Sequence, residues 1–292
     1  MFQAIVLGLF QGATYAMLAV GLVLVYKGAK VFNFAQGEFG TLAVYVTWCM
    51  LGYQHLPYWL AAVIGLSCAV ALGMVMERLI VRPLMGRSRI TLLVATVGVA
   101  LAVIQTTLIV AEPKPQNLDV AVNGNPTVIG QVGILPQQWL LIGVLAAVGI
   151  LLALFLRTDY GHAVTATSQD AFASRVVGIS VPAVSRIIWG SAGLLGGLAG
   201  LLQAPITGSF YPGYLTITGL IPAFTAAVIG GMDSLAGAFV GGLAVGVVQS
   251  VGQYQLQLKA GIPGGSGLVV FAMLIIVLMV RPRGLLGKEV AA

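Results

Sequence analysis

Charge is what this chain has least of. Of its 292 residues only 8% are Asp, Glu, Lys or Arg, while 59% are hydrophobic. Ordinary soluble domains carry roughly 25% charged residues. So few charges cannot cover a water-soluble globule of this size, so the surrounding solvent is lipid. From Arg186 to Asp233 the gap is complete, with no Asp, Glu, Lys, Arg or His between them. One spanning helix takes about 20 apolar residues, so this gap holds enough chain for two. It is also broken by Gly193, Gly196, Gly197, Gly200, Pro205, Gly208, Pro212, Gly213, Gly219 and Pro222. A plain lipid anchor needs neither the breaks nor the glycines; a protein lining a path uses both.

Other absences narrow the function. The two cysteines, Cys49 and Cys68, fall in apolar segments and read as buried free thiols. His55 and His162 are isolated, so no Cys/His cluster offers a metal site. There is no GxxxxGK[ST], because Gly287-Lys288 lacks both the upstream glycine and the hydroxyl. HExxH and GxSxG are missing too, and no nucleophile–base pair is apparent. The chain is therefore expected to hold no catalytic residue, cofactor or metal, and a membrane enzyme is disfavoured. The opening MFQAIVLGLF lacks a basic n-region and a small-residue cleavage site, and reads as a retained first helix.

What is present is apolar chain in long runs. Nine segments stand out, at 3–26, 34–53, 58–76, 90–111, 139–156, 183–206, 216–232, 235–252 and 264–280. In the two around 205–235, Pro and Gly leave half-helices or a re-entrant turn open. The net charge of +6 would invite a nucleic-acid reading, but the basic residues sit in short clusters between the runs. Those clusters are Lys27 and Lys30; Arg78, Arg82, Arg87 and Arg89; Arg157, Arg175 and Arg186; and Arg281, Arg283 and Lys288. With nine crossings all four fall on one side, which the positive-inside rule makes cytoplasmic. Lys114 and Lys259 are the exceptions. The expected fold is an all-α polytopic membrane bundle of about eight to nine transmembrane segments in one domain spanning 1–292. Its N-terminus is outside and its C-terminus cytoplasmic. An external lobe is expected over about 112–138, where β-branched residues flank an Asn-Gly-Asn-Pro turn as in a small hairpin. An irregular loop fits that stretch equally.

Several stretches carry chemistry. In VFNFAQGEFG (31–40), Asn33 and Gln36 have the spacing of an N-cap pair opening the second segment. Glu38 then falls in the first turns, where the helix dipole favours a negative charge. This is either a capped start at the cytoplasmic interface or a gate in which Asn33, Gln36 and Glu38 line a path. Amides and hydroxyls recur inside the apolar segments: Gln11, Thr14 and Tyr15 on one helical face, Gln105 and Thr106, Gln203 and Thr207, and Gln249, Ser250 and Gln253. Each serves as interhelical glue or as path lining. Together they give a moderately polar, uncharged interior, suited to a zwitterion or neutral solute. Gly193–Gly197, Gly196–Gly200, Gly237–Gly241 and Gly242–Gly246 are small-xxx-small pairs that allow close helix approach. The polar segment over about 157–182 contains a short helix signal, with Asp170 as N-cap before Ala171, Phe172, Ala173, Ser174 and Arg175, and Gly178 as the stop. So short a helix needs something to pack on, either its own bundle or a groove on a soluble partner.

NFAQGEFG (33–40), ERLIVRPL (77–84), LLVATVGVAL (92–101), the segment from Thr158 through Ile179 and AAVIGGMDSLAGAFVGG (226–242) resemble one family. It is the smaller, H-type permease of branched-chain amino-acid ABC importers. The family pattern often has His where this chain carries Gln36, and Gly where it carries Asp233. The resemblance implies a second, related permease, two cytoplasmic ATPase subunits holding ATP and Mg, and an external solute-binding protein. It places the chain in the bacterial plasma (inner) membrane, in contact with lipid and not with nucleic acid. It also makes 168–179, from Ser168 to Gly178, the coupling helix in an ATPase cleft. Relatives of this kind also move urea, short amides and organic or aromatic acids. A secondary transporter or channel is the reading from another class, but it would be expected to carry intramembrane carboxylates, and only Glu38 and Asp233 come close.

Overall fold

The computed structural model describes residues 1–111, 114–130, 132–281 and 284–286. Arg283, Gly287 and Lys288, named above, and residues 112, 113 and 131 of the expected lobe lie outside the described residues. The chain begins with α1 (Phe2–Ala29), turns through Lys30 in the left-handed region (φ 54°), and enters α2 (Gln36–Gly52). Next, α3 (Tyr58–Met76) continues through a π turn (Glu77–Val81) into the single turn α4 (Arg82–Leu84). After α5 (Arg89–Ala111) comes a hairpin of β1 (Thr127–Ile129) and β2 (Val132–Ile134), then α6 (Pro136–Phe155). Two polar helices follow, α7 (Asp159–Gln169) and α8 (Ala171–Val176). The chain ends with α9 (Val181–Thr207), α10 (Tyr214–Thr218), α11 (Leu220–Gly230), α12 (Leu235–Gly252) with a π continuation (Gln253–Lys259), and α13 (Gly265–Val280).

Six of these stretches are long and apolar enough to cross a bilayer: α1, α3 through α4, α5, α6, α9 and α12 with its continuation. The helices α2, α11 and α13 are shorter. Burial separates centre from rim: most residues of α1 and α9 are buried, whereas few of α5 and α6 are. The rim helices expose Val94, Leu101, Ile109, Ile150 and Leu151, which suits a lipid-facing surface.

The glycine pairs now have partners. Gly242 and Gly246 of α12 face Ala16 and Gly12 of α1, backbone against backbone. Gly237 and Gly241 lie against Gly230 and Ala226 of α11. On α9, Gly193 meets the Ala69 carbonyl of α3, while Gly196 and Gly200 receive α2 at Gln36 and Gly40. Small residues at each crossing let these helices approach to the distance that dispersion needs.

Contacts sort the loops into two ends. Lys30 Nζ is 3.4 Å from Asp233 Oδ1, and Arg82 donates to the Pro182 carbonyl. Gly284 packs on Gly231, while Leu285 and Leu286 donate their N–H groups to Ile229 and Gly230. Gly28 at the end of α1 meets Ile188 near the start of α9, which joins the two pairs, so the four basic clusters, as far as they are described, share one end. At the other end, Gln116 pairs with Phe210 through a β-bridge, and Gly130 of the hairpin sits by Phe2. Asp233 thus ties the α11–α12 turn to the end of α1.

Three local expectations need correction. The hairpin pairs Thr127 with Ile134 and Ile129 with Val132, so it turns at Gly130 (φ 65°) and not at Asn-Gly-Asn-Pro. That tetrapeptide precedes β1, because a Gly with positive φ makes the tighter link between the β-branched triplets. Asn33 does not cap α2: its Oδ1 accepts from Ala35 N (3.0 Å) and the helix starts at Gln36. Finally, the stretch before Asp170 is itself helical, α7, capped by Thr158 accepting from Gly161 N (3.3 Å).

Candidate functional site

The central helices leave a cavity of about 240 Å³ between α1, the far end of α9 and the 207–219 segment. Its volume equals about eight waters at ~30 Å³ each, enough for one small organic solute. The walls are uncharged and set amides and hydroxyls into a largely apolar surface. From α1 come Gln11, Thr14 and Tyr15, which the helical spacing of three and four residues puts on one face. From α9 come Gln203 and Thr207, and from the following segment Tyr211, Tyr214 and Thr218.

Hydrogen bonds fix the two central walls to each other. Thr14 Oγ1 donates to Gln203 Oε1 at 2.8 Å, joining α1 to α9. Gln11 Nε2 donates to Tyr15 OH at 2.8 Å within α1. With its Oε1 taken by Thr14, Gln203 still has two amide N–H groups to offer. Gln249 reaches Tyr15 from α12, yet its Oε1 is buried without a hydrogen-bond partner, and so is the Tyr214 hydroxyl. Tyr214 lines the cavity beside Thr207, and Gln249 stands behind Tyr15, so amides and hydroxyls there can hold a solute.

Asn33, Gln36 and Glu38 lie elsewhere. All three are fully buried. Gln36 Nε2 donates to the Ala192 carbonyl of α9 at 2.9 Å, and Asn33 Nδ2 donates to Gln36 Oε1 at 3.2 Å. Ala192 stands ~16 Å along α9 from Val181 at 1.5 Å per residue. The start of α2 therefore lies inside the bundle and not at its surface, after a non-helical link over 31–35 that ends in a turn. Gly21 makes this possible, because a side chain there would collide with the Gln36 amide.

Between the two groups stands α10, a single turn with Gly213 (φ 77°) before it and Gly219 after it. Tyr214 and Thr218 face the cavity, and Thr216 faces the start of α2. A Cβ on Gly37 would lie 2.5 Å from Thr216 Oγ1, so α10 sits directly on the first turn of α2. Both Glu38 oxygens and Thr216 Oγ1 are buried without partners. Gln105 and Thr106 project outward from α5 and join neither group. The sequence reading missed Tyr211, Tyr214, Thr216 and Thr218. Their signal was the Gly-bounded pentad YLTIT, which alternates hydroxyl and aliphatic side chains.

At the basic end, α8 stands out from the bundle. Asp170 caps it, its Oδ1 accepting from Phe172 N (2.8 Å) and Ala173 N (3.0 Å). Gly178 (φ 86°) ends it, as expected for a left-handed stop. Phe172, Val176 and Val177 are exposed by 76%, 74% and 74%. Such an apolar patch at a charged end marks a contact surface. Ala171 and Arg175 are exposed with it, while Ser174 is buried and donates its hydroxyl to the Asp170 carbonyl. Ser168 is half-buried on α7 and bonds the Thr165 carbonyl.

Comparisons with known proteins agree with one another. The family model described as branched-chain amino acid transport system / permease component matches residues 4–278. The high-affinity branched-chain amino acid transport system permease protein BraD of Pseudomonas aeruginosa is 31% identical over 302 residues, covering 98% of this chain and 95% of that protein. LivH of Escherichia coli, of the same description, is 28% identical over 295 residues, covering 96% and 94%. Among solved structures, PsaBC from Streptococcus pneumoniae in complex with Fab superposes with a TM-score of 0.53 at 14% identity. The match covers 95% of this chain and 91% of that one, and it speaks for the fold alone.

Proposed function

The chain belongs to the family of branched-chain amino acid transport permeases, and from that premise we propose that it is the membrane-spanning subunit of an ATP-driven importer. It is a multi-pass inner-membrane permease and not an enzyme. In our reading its solute is a branched-chain or other apolar amino acid handed over by an external binding protein. A second permease stands beside it, and two cytoplasmic subunits bind ATP and Mg. The chain is one domain, 1–292, crossing nine times with its N-terminus outside and its C-terminus in the cytoplasm. The external lobe is 112–138 and the coupling segment 157–182.

The observation that carries this reading is the uncharged polar cavity. A zwitterion has no net charge, so fixed charges would bind one of its ends and slow its exit. Amides and hydroxyls contact both ends at modest strength, and the apolar side chain meets Leu215 in the wall. Gln11, Tyr15, Gln203 and Gln249 are assigned to the path. Asn33, Gln36 and Glu38 form the bed beneath α10, whose displacement would open the way inward. Gln105 is not assigned to it. At the cytoplasmic end Phe172 and Arg175 of α8 meet the ATPase, held in shape by Asp170, Ser174 and Gly178.

The test is uptake of labelled leucine by proteoliposomes holding both permeases and the ATPase subunits, with the binding protein outside. Arg175→Glu combined with Ala171→Asp is expected to abolish ATPase docking and uptake while the permease stays folded. Uptake driven by an ion gradient with no ATPase present would refute the importer reading.

A further inference from the structure

The ERLIVRPL stretch contains an ion pair that the path does not use. Arg82 donates from Nε to Glu77 Oε1 (3.1 Å), and from Nη2 to Oε1 (3.0 Å) and Oε2 (2.7 Å). The Glu77 side chain is fully buried, whereas that of Arg82 is 35% exposed. In an α-helix, residues five apart point in different directions, since each turn takes 3.6 residues. Here the chain is a π turn over Glu77–Val81, and Arg82 N–H bonds the Glu77 carbonyl. The wider turn stacks residue 82 over residue 77, so the backbone irregularity and the ion pair are one device.

The pair also reaches another helix. Arg82 Nη2 donates to the Pro182 carbonyl at 3.2 Å, in the first turn of α9. That turn is four residues beyond α8, through a link containing Gly178 at φ 86°. The Ile179 N–H bonds the Ser174 carbonyl at 2.9 Å, so the link itself is clipped to α8. Beyond it, α9 and α3 interlock: Gly73 meets the Trp189 carbonyl and Gly193 the Ala69 carbonyl, with no side chain between the backbones. The far end of α9 brings Gln203 and Thr207 to the cavity.

We propose that Glu77 and Arg82 are positioning residues that clamp the first turn of α9 to the end of α3. A displacement of α8 then moves both helices as one body and reaches the cavity, instead of being lost in the 177–180 link. This rests on the importer reading above and assigns that machine its transmission joint.

The experiment uses the complete reconstituted complex and counts leucine molecules taken up per ATP hydrolysed. The variants are Arg82→Gln, and Glu77→Gln with Arg82→Gln, the second leaving no unpaired buried charge. Both are expected to bind the ATPase subunits and hydrolyse ATP at the normal rate. Both are expected to carry roughly tenfold fewer solute molecules per ATP, a change of ordinary coupling size. Arg82→Lys, which can engage Glu77 or Pro182 but cannot form the fork, is expected to fall between the parent and these variants. A normal transport ratio in the double variant overturns the clamp. Loss of ATPase binding or of folding also overturns it, because the pair would then only build the docking surface. If the unaltered complex shows no ATP-driven uptake, the importer reading fails instead.

Discussion

The α1–α12 crossing gives the sharpest stability test. A Cβ on Gly12 would lie 2.8 Å from Leu243 Cα and 2.9 Å from the Gly242 and Leu243 carbonyl oxygens. All three are backbone atoms, so no side chain can rotate away. Ordinary contact begins at 3.4 Å, and the two helices must separate by the difference. Overpacking of this kind costs about 1–3 kcal/mol, against a gain of up to ~1 kcal/mol for Ala over Gly in a helix. The control is Gly98 on α5, where a Cβ would meet nothing within 4 Å. Gly98→Ala should collect the helix gain alone, so the two variants should differ by roughly 1–3 kcal/mol, the full packing cost. Thermal unfolding in detergent, followed by tryptophan fluorescence, reads this as a melting temperature lowered by several degrees for Gly12→Ala and not for Gly98→Ala. If Gly12→Ala melts with Gly98→Ala, the two backbones are not in contact and the central packing described above is wrong.

Thr14→Val keeps the shape of the side chain and removes its bond to Gln203 (2.8 Å). It should cost about 0.5–1.5 kcal/mol in the same melting assay and weaken solute capture, seen as a higher KM for uptake; an unchanged KM would remove Gln203 from the path. Glu38→Gln replaces a fully buried carboxyl whose oxygens have no hydrogen-bond partner. It should insert and fold as well as the parent, whereas Glu38→Lys, at ~2.5–3.5 kcal/mol for a central charge, should lower the yield of folded protein; the reverse order would mean that the carboxylate has an ionic partner. Phe172→Ser changes a side chain that is 76% exposed. Its melting temperature should match the parent's, while co-purification of the ATPase subunits falls; retained ATPase would move the docking surface off α8. Single cysteines replacing Lys30 and Asp233, in a chain without Cys49 and Cys68, should react with an impermeant maleimide from one side, and a cysteine at Val128 from the other. Labelling of all three from one side would break the topology.

Hydropathy was enough for the long helices because each is a single uninterrupted apolar run: 183–206 was expected where Val181–Thr207 stands. It failed where depth matters. Asn33 and Gln36 looked like a cap at the membrane surface because capping is a local pattern, blind to what lies outside its turn. Their depth is set by Gly21, ten positions before residue 31, and by the Ala192 carbonyl, both reached only through tertiary packing. The run at 216–232 left half-helices or a re-entrant turn open, and Gly219 divides it into α10 and α11. The glycines and prolines there break the run as a path-lining backbone does, and the chain between Gly213 and Gly219 forms a wall of the cavity. The polar residues raise a further point. Sequence reasoning had to treat each amide as either glue or path. Gln203 holds α9 to α1 through its oxygen and Thr14, and the same side chain faces the cavity. In a wall built this way, solute bound at the amide and the α1–α9 contact draw on one group. Filling the cavity and shifting those helices are then coupled without any additional residue.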